Sequence, residues 1–329
     1  MKVVITGATG FIGSRLALHC REQGMEVCAL GRRRSAVEGR YAEALRRAGA
    51  EVLEIPVTEP DALIEPMRGA EFVFHLAAAQ HEANVPDAYF REINVEGTHH
   101  VLSAAEAAGV ARFVHGSTIG VYAWKEGEPV TEASPLCPDN IYGKTKLEGE
   151  GVVRSLAGRV PRVIVRISET YGPGDQRLRK LFLSARRGFL LQVGAARNLH
   201  HLVFIDDLIA GLLAAARVPE AAGKTFVLAG ERPVTSREML EVVAAAEGGG
   251  ARIVYVPLAP LWLVAGACEF ALRPLGIQPP LHRRRMDFFR KSFAFSQQEA
   301  REILGYRPAM DLKTGMQRTA QWYRDEGWL

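Results

Sequence analysis

Cysteine is scarce in this chain of 329 residues, with only Cys20, Cys28, Cys137 and Cys268 present. They lie far apart, without a CxxC pair or a Cys/His ligand spacing, which excludes a disulfide framework and a structural zinc site. All four are expected as reduced thiols in the core, and no metal site is expected. Lysine is also scarce: only eight of the 41 basic residues are Lys, and the arginines that dominate are the better planar partners for phosphate. A large excess of one charge is missing as well. The formal net charge is +4 with acidic and basic residues mixed, so nucleic acid is not an expected partner. The longest uncharged run lies between Arg252 and Glu269 and is broken by Pro257 and Pro260. It falls short of the roughly 20 residues that span a bilayer. The first residues, Met1-Lys2-Val3-Val4-Ile5-Thr6-Gly7, pass straight into a strand and a turn, leaving no room for a signal peptide, and a cytoplasmic location is expected. Internal repeats and low-complexity tracts are absent.

What remains is an ordinary folded composition, 48% hydrophobic, in a chain long enough for one large domain or two. Short β-branched or aromatic runs at residues 3–5, 26–30, 51–55, 71–76, 112–115 and 162–167 alternate with helical patterns. Strands alternating with helices imply right-handed βαβ crossovers, hence an α/β fold with a doubly wound parallel sheet. Residues 91–108 read as one helix, with Gly109 as its stop. From Tyr171 the rhythm loosens: 176–190 and 236–248 read as helices, and 225–228 and 253–256 as strands. The expected division is a dinucleotide-binding Rossmann domain at 1–170, with 200–230 returning to it, and a smaller substrate lobe at 171–199 and 231–329.

Gly7-Ala8-Thr9-Gly10-Phe11-Ile12-Gly13 follows a strand and opens a helix. Glycines in that context let the backbone turn tightly and approach a pyrophosphate, whose charge meets free N–H groups and the helix dipole. After the second strand an acid would favour NAD and an arginine NADP. The chain has Gly31-Arg32-Arg33-Arg34 and no acid, so NADP is expected, with Arg32 or Arg33 on its extra phosphate and NAD as the possible substitute. A solvated arginine loop is the plainer alternative. Tyr142 and Lys146 stand at i and i+4, on one helical face. A nearby ammonium lowers a phenol's pKa and lets it exchange a proton with a carbonyl or alcohol oxygen. Ser117-Thr118 end another strand, where a hydroxyl could hold a substrate oxygen.

Together these residues resemble the extended short-chain dehydrogenase/reductases, the NAD(P)-dependent epimerase/dehydratase group. The resemblance runs through Asn94-Val95-Glu96-Gly97-Thr98, Tyr171-Gly172-Pro173-Gly174 and Val203-Phe204-Ile205-Asp206-Asp207. It implies Tyr142 as catalytic acid/base, Lys146 as its tuner and holder of the nicotinamide ribose, and Thr118 with Ser117 at the reacting oxygen. It also implies cofactor contacts from Gly7, Thr9, Gly10, Phe11, Ile12, Gly13, Val57, Leu76, Ala77, Ala78 and Asn94. Three departures narrow the activity. Ile119-Gly120 stand where dehydratases of the group carry Asp-Glu, His200-His201 where nucleotide-sugar epimerases carry Arg-Asp, and Pro56 where an Asp usually meets the adenine.

The C-terminal portion, with Leu261-Trp262, an apolar helix near 263–272, Pro279-Pro280 and Trp322-Tyr323, looks like bacterial relatives of 3β-hydroxysteroid dehydrogenases and dihydroflavonol reductases. The resemblance implies hydride transfer between a secondary alcohol and a ketone on a hydrophobic or cyclic small molecule, in a homodimer joined through helices near 91–108 and 139–156. A nucleotide-sugar epimerase with tightly held NAD and a non-catalytic NADP-binding sensor are the alternatives. The apolar helix either lies over the active site or fills its own lobe's core. Arg283-Arg284-Arg285 beside it are a solvated loop or a contact for anionic lipid.

Overall fold

The computed structural model of the chain describes residues 1–32, 35–80, 85–123, 129–272, 289 and 291–329. Arg33, Arg34, Pro279-Pro280 and Arg283-Arg284-Arg285 lie outside the described residues. Six strands come in the first half: β1 (Lys2–Thr6), β2 (Glu26–Leu30), β3 (Glu51–Leu53), β4 (Phe72–His75), β5 (Arg112–Thr118) and β6 (Arg162–Ile167). Next in the chain are β7 (Glu169–Tyr171), β8 (Phe189–Val193), β9 (Leu199–His200), β10 (Leu202–Phe204), β11 (Thr225–Leu228), β12 (Val234–Thr235) and β13 (Arg252–Val256). The main sheet has the order β11-β6-β5-β4-β1-β2-β3, parallel throughout. The order reverses between β1 and β4, so the crevice outside their carboxyl ends is where such a sheet takes a ligand.

The inner strands are nearly continuous apolar runs because helices cover both faces. Val3, Ile5 and Val114 point into one hydrophobic cluster, and Val4, Val73 and Phe113 into the other. The covering helices include α1 (Phe11–Glu22), α2 (Ala36–Arg47), α3 (Pro60–Met67), α5 (Gly97–Ala108), α6 (Ile141–Ser155) and α8 (Ile205–Arg217). Residues 91–108 are not one regular helix. A short helix, α4 (Asp87–Arg91), runs through a π-helical turn at Glu92–Glu96 into α5. The wider turn rotates the helix face around Asn94, which is buried. Gly109 ends α5 with φ 68°, in the left-handed region glycine adopts without strain.

The remaining strands make three small pairs: β7 with β10, β8 with β13, and β9 antiparallel to β12. Helices α7 (Arg179–Arg186) and α9 (Ser236–Ala246) pack with them, and the first core cluster continues through Tyr171, Phe182, Leu190, Met239, Tyr306 and Tyr323. The loosened rhythm therefore ends in a shared core. Two thiols depart from expectation: Cys20 and Cys28 are buried, but Cys137 is exposed and Cys268 half-buried, because packing and not residue type decides what water reaches. Helix α10 (Leu258–Leu272) buries only Ala265, so it does not fill a lobe core. No described helix is long and apolar enough to cross a membrane.

Candidate active site

At the switch point two cavities meet, one of about 470 Å³ and one of about 290 Å³, with Gly7, Gly10, Leu76 and Ala78 in both walls. Gly7 has φ +70°, and a Cβ there would sit 2.7 Å from the Ala77 backbone nitrogen. A Cβ on Gly13 would sit 2.2 Å from the Gly7 carbonyl oxygen, so the N-terminus of α1 packs against the turn only because that atom is missing. This glycine cradle, with a cavity on either side, fits an extended dinucleotide lying across the sheet edge. Phe11, Ile12 and Gly13 line the larger cavity; Thr9, Arg32, Val57 and Ala77 line the smaller. Thr9 binds both backbone groups of Arg32, donating to its carbonyl at 2.8 Å and accepting from its N–H at 3.2 Å.

The larger cavity also contains Ser117, Thr118 and Tyr142. Helix α6 begins with the Asn140 side chain accepting from Gly143 N–H at 3.0 Å, a cap that sets the first turn. A Cβ on Gly143 would lie 2.4 Å from the Gly120 carbonyl oxygen. The glycine lets the helix start abut the turn after β5, and Tyr142 and Thr118 then share one wall of the larger cavity. Thr118 also accepts from Gly120 N–H at 3.1 Å, which fixes its rotamer.

A profile of the NAD dependent epimerase/dehydratase family matches residues 3–229. The chain belongs to this family. It is 32% identical to the uncharacterised protein y4nL of Sinorhizobium fredii, over 97% of this chain and 94% of that one. It is 29% identical to a 2-alkyl-3-oxoalkanoate reductase of Stenotrophomonas maltophilia, over 97% and 98% of the two chains. A short-chain dehydrogenase/reductase superfamily protein from Agrobacterium tumefaciens, solved with bound NAD, superposes with a TM-score of 0.76 at 26% identity, over 99% of this chain and 98% of the other. The protein is thus an NAD(P)-dependent extended short-chain dehydrogenase/reductase.

Asn94 and Ser117 stand differently from the expectation. Asn94 lines neither cavity: its amide accepts from Ala79 N–H at 2.8 Å and donates to the Ala79 carbonyl and to Thr145 Oγ1. It therefore ties the end of β4 to α6 and holds the cradle from behind, with no donor left for a cofactor. Ser117 borders the cavity but donates its proton to Glu150 Oε1 at 2.6 Å, so it can offer a ligand only an acceptor.

Lys146 is buried, and its Nζ lies 3.5 Å from His115 Nε2. Burial brings the ammonium down to about 8, against which Glu150, one turn on, pulls upward. The Tyr142 phenol is not lowered. Burial pushes it up to about 12, opposed by the neighbouring Thr118 hydroxyl and the Arg177 charge. The ammonium is turned toward His115 and Glu150 instead of the phenol, which stays protonated at neutral pH.

Sequence reasoning missed the support behind these groups. Glu150 is buried and accepts from Ser117, Arg154 and both ends of Arg166. Burial alone would raise its carboxyl, but those donors hold it below the usual carboxylate range. Tyr142, Lys146 and Glu150 repeat at i, i+4 and i+8, and that spacing was the available signal. Burial keeps His115 a neutral imidazole, and Nε2 can then accept from Lys146. Its pairing with His75 across β4 and β5 had no local signature. Arg177, also on the cavity wall, is held by Asp175 at 3.0 Å and by the Thr170 carbonyl.

Proposed function

We propose that this enzyme interconverts a secondary alcohol and a ketone on a hydrophobic small molecule, with NADP as the preferred cofactor. The observation that carries the reading is that Tyr142 and Thr118 stand together on the wall of the cavity that adjoins the glycine cradle. The dinucleotide supplies the hydride when bound. Thr118 and Tyr142 would hold the substrate oxygen in the larger cavity, beside the cradle that would hold the pyrophosphate. In reduction Tyr142 gives its proton to that oxygen; in oxidation it takes one away. Lys146 supplies a buried cation beside the site, and Glu150 keeps that cation charged.

Arg32 borders the smaller cavity, where the adenosine half would lie, and no acid follows β2. Both facts favour the extra phosphate of NADP. Replacing Arg32 with Ser is expected to weaken NADPH about tenfold and NADH little, read by fluorescence titration, since one charge-assisted contact contributes about 1.5–3 kcal/mol. Equal weakening of both nucleotides would reject the assignment. Residues 1–170 with 200–230 form the cofactor unit on this reading, and 171–199 with 231–329 the substrate lobe. Cytoplasmic residence and a homodimer through α5 and α6 complete it; a purely monomeric profile in gel filtration at several concentrations would refute the dimer. The primary test is NADPH consumption with a ketone panel, together with mass spectrometry of any nucleotide released on denaturation. Near-stoichiometric retained NAD would turn the reading toward an epimerase.

A further inference from the structure

A hollow of about 600 Å³ lies beyond the hydride-transfer site, among β7, α7, β8 and α9. Its size is that of a pocket for a drug-sized ligand. Its walls are hydrocarbon: Leu178 and Leu181 on one side, Leu191 and Val193 on β8, Met239 and Leu240 on α9. Arg177 lines both this hollow and the Tyr142 cavity. Because Asp175 and the Thr170 carbonyl hold its guanidinium, it is a fixed wall between the two, already paired.

Two polar side chains of the lining, Glu169 and Ser236, are engaged with His200 behind the wall. His200 is buried behind Glu169 and Ser236, with Nδ1 3.0 Å from Glu169 Oε2, and Nε2 2.8 Å from Ser236 Oγ and 3.1 Å from Asn198 Nδ2. Lys180, the other cation of the lining, is exposed to solvent. Among the described residues, a diphosphate entering here would meet the Glu169 carboxylate and apolar walls, with Arg177 already paired and Lys180 turned to solvent. A hydrocarbon group would lose only water contact.

We propose that this hollow receives the hydrocarbon part of the substrate, and that the substrate is a ketone or secondary alcohol bearing an alkyl chain, not a nucleotide sugar. The chain runs past Arg177 while the oxygen stays between Thr118 and Tyr142. The proposal rests on the assignment of Tyr142 as proton donor, and the test separates the two. The full-length enzyme is assayed with NADPH and 2-alkanones from 2-butanone to 2-undecanone, and binding of the matching 2-alkanols is measured by calorimetry. The specificity constant kcat/KM is expected to rise about fourfold for each methylene buried until the hollow is filled. Alkanol affinity is expected to climb in parallel. Leu191 is half on the wall and half in solvent, so Leu191→Asp is compatible with folding, which its melting curve checks. It should cut the undecanone-to-butanone ratio of kcat/KM by tenfold or more. A flat chain-length series, an unchanged ratio in the variant, or inhibition of undecanone reduction by micromolar UDP-glucose overturns the proposal. Chain-length-dependent binding without turnover of any ketone supports the hollow and rejects the hydride-transfer reading; neither binding nor turnover rejects both.

Discussion

Two helices of this protein have fifteen residues each and treat water in opposite ways. Helix α6 carries lysine and glutamate, yet Lys146 is 1% and Glu150 0% exposed. Helix α10 is apolar all round apart from Glu269, yet buries only Ala265 and leaves Phe270 87% exposed. Burial thus follows what an element packs against, not its hydropathy. On α6, glycines admit the end of β5 and the π-helical turn, and Arg166 compensates the carboxylate. On α10, Ala265 is the one residue buried. The contrast also separates functions, since a buried charge is retained only where partners satisfy it.

The largest test of the contrast is Tyr142→Phe, expected to cut kcat/KM about a thousandfold, the range of general acid catalysis, while NADPH binding stays within a fewfold. Stopped-flow turnover and fluorescence titration read the two; wild-type turnover would end the assignment. Second, Glu150→Ala strands the buried Arg166 guanidinium and should lower stability by about 3 kcal/mol, measured by urea denaturation. A loss below about 1 kcal/mol would mean that the buried ladder on α6 contributes far less than its geometry implies.

A smaller effect concerns pH. Lys146 loses its proton near pH 8 in the native protein and near its ordinary 10.5 when unfolded. Between those values the unfolded chain binds more protons, so this group's contribution to stability rises with pH. The cation beside the cofactor disappears over the same range. NADPH affinity should therefore fall as pH climbs through about 8, without a loss of melting temperature from this group; affinity constant from pH 7 to 9.5 would contradict the assignment. The smallest effect is on α10: Phe270→Ser should change stability by less than about 0.5 kcal/mol, and a loss of 2 kcal/mol would show that the helix is covered in solution.

The legible parts were those with a local cause. Short β-branched or aromatic runs marked β1 to β6, and the glycine turn after β1 marked the cradle, because only glycine tolerates its backbone and contacts. Tyr142 and Lys146 were legible as a pair from helical spacing, but the sign of the phenol's shift was not. Spacing places two groups on one face, and burial then decides which charge prevails. Asn94 was read as a cofactor contact because its neighbours match a motif, whereas the π-helical turn points its amide at Ala79 and Thr145. All four thiols are expected in the core, yet Cys137 is exposed, because burial is set by tertiary packing and not by residue type.

By itself the sequence determined the alternation of strands and helices and the candidate residues for binding phosphate and moving a proton. These rest on local sterics and side-chain chemistry, which act within a few residues. Tertiary structure alone decided that Glu150 and Arg166 would neutralise each other beneath the site, that His115 would face Lys146, and that Leu181, Leu191 and Leu240 would enclose one hollow. Those outcomes depend on desolvation and on contacts between residues far apart in the chain, and both arise only when the elements pack.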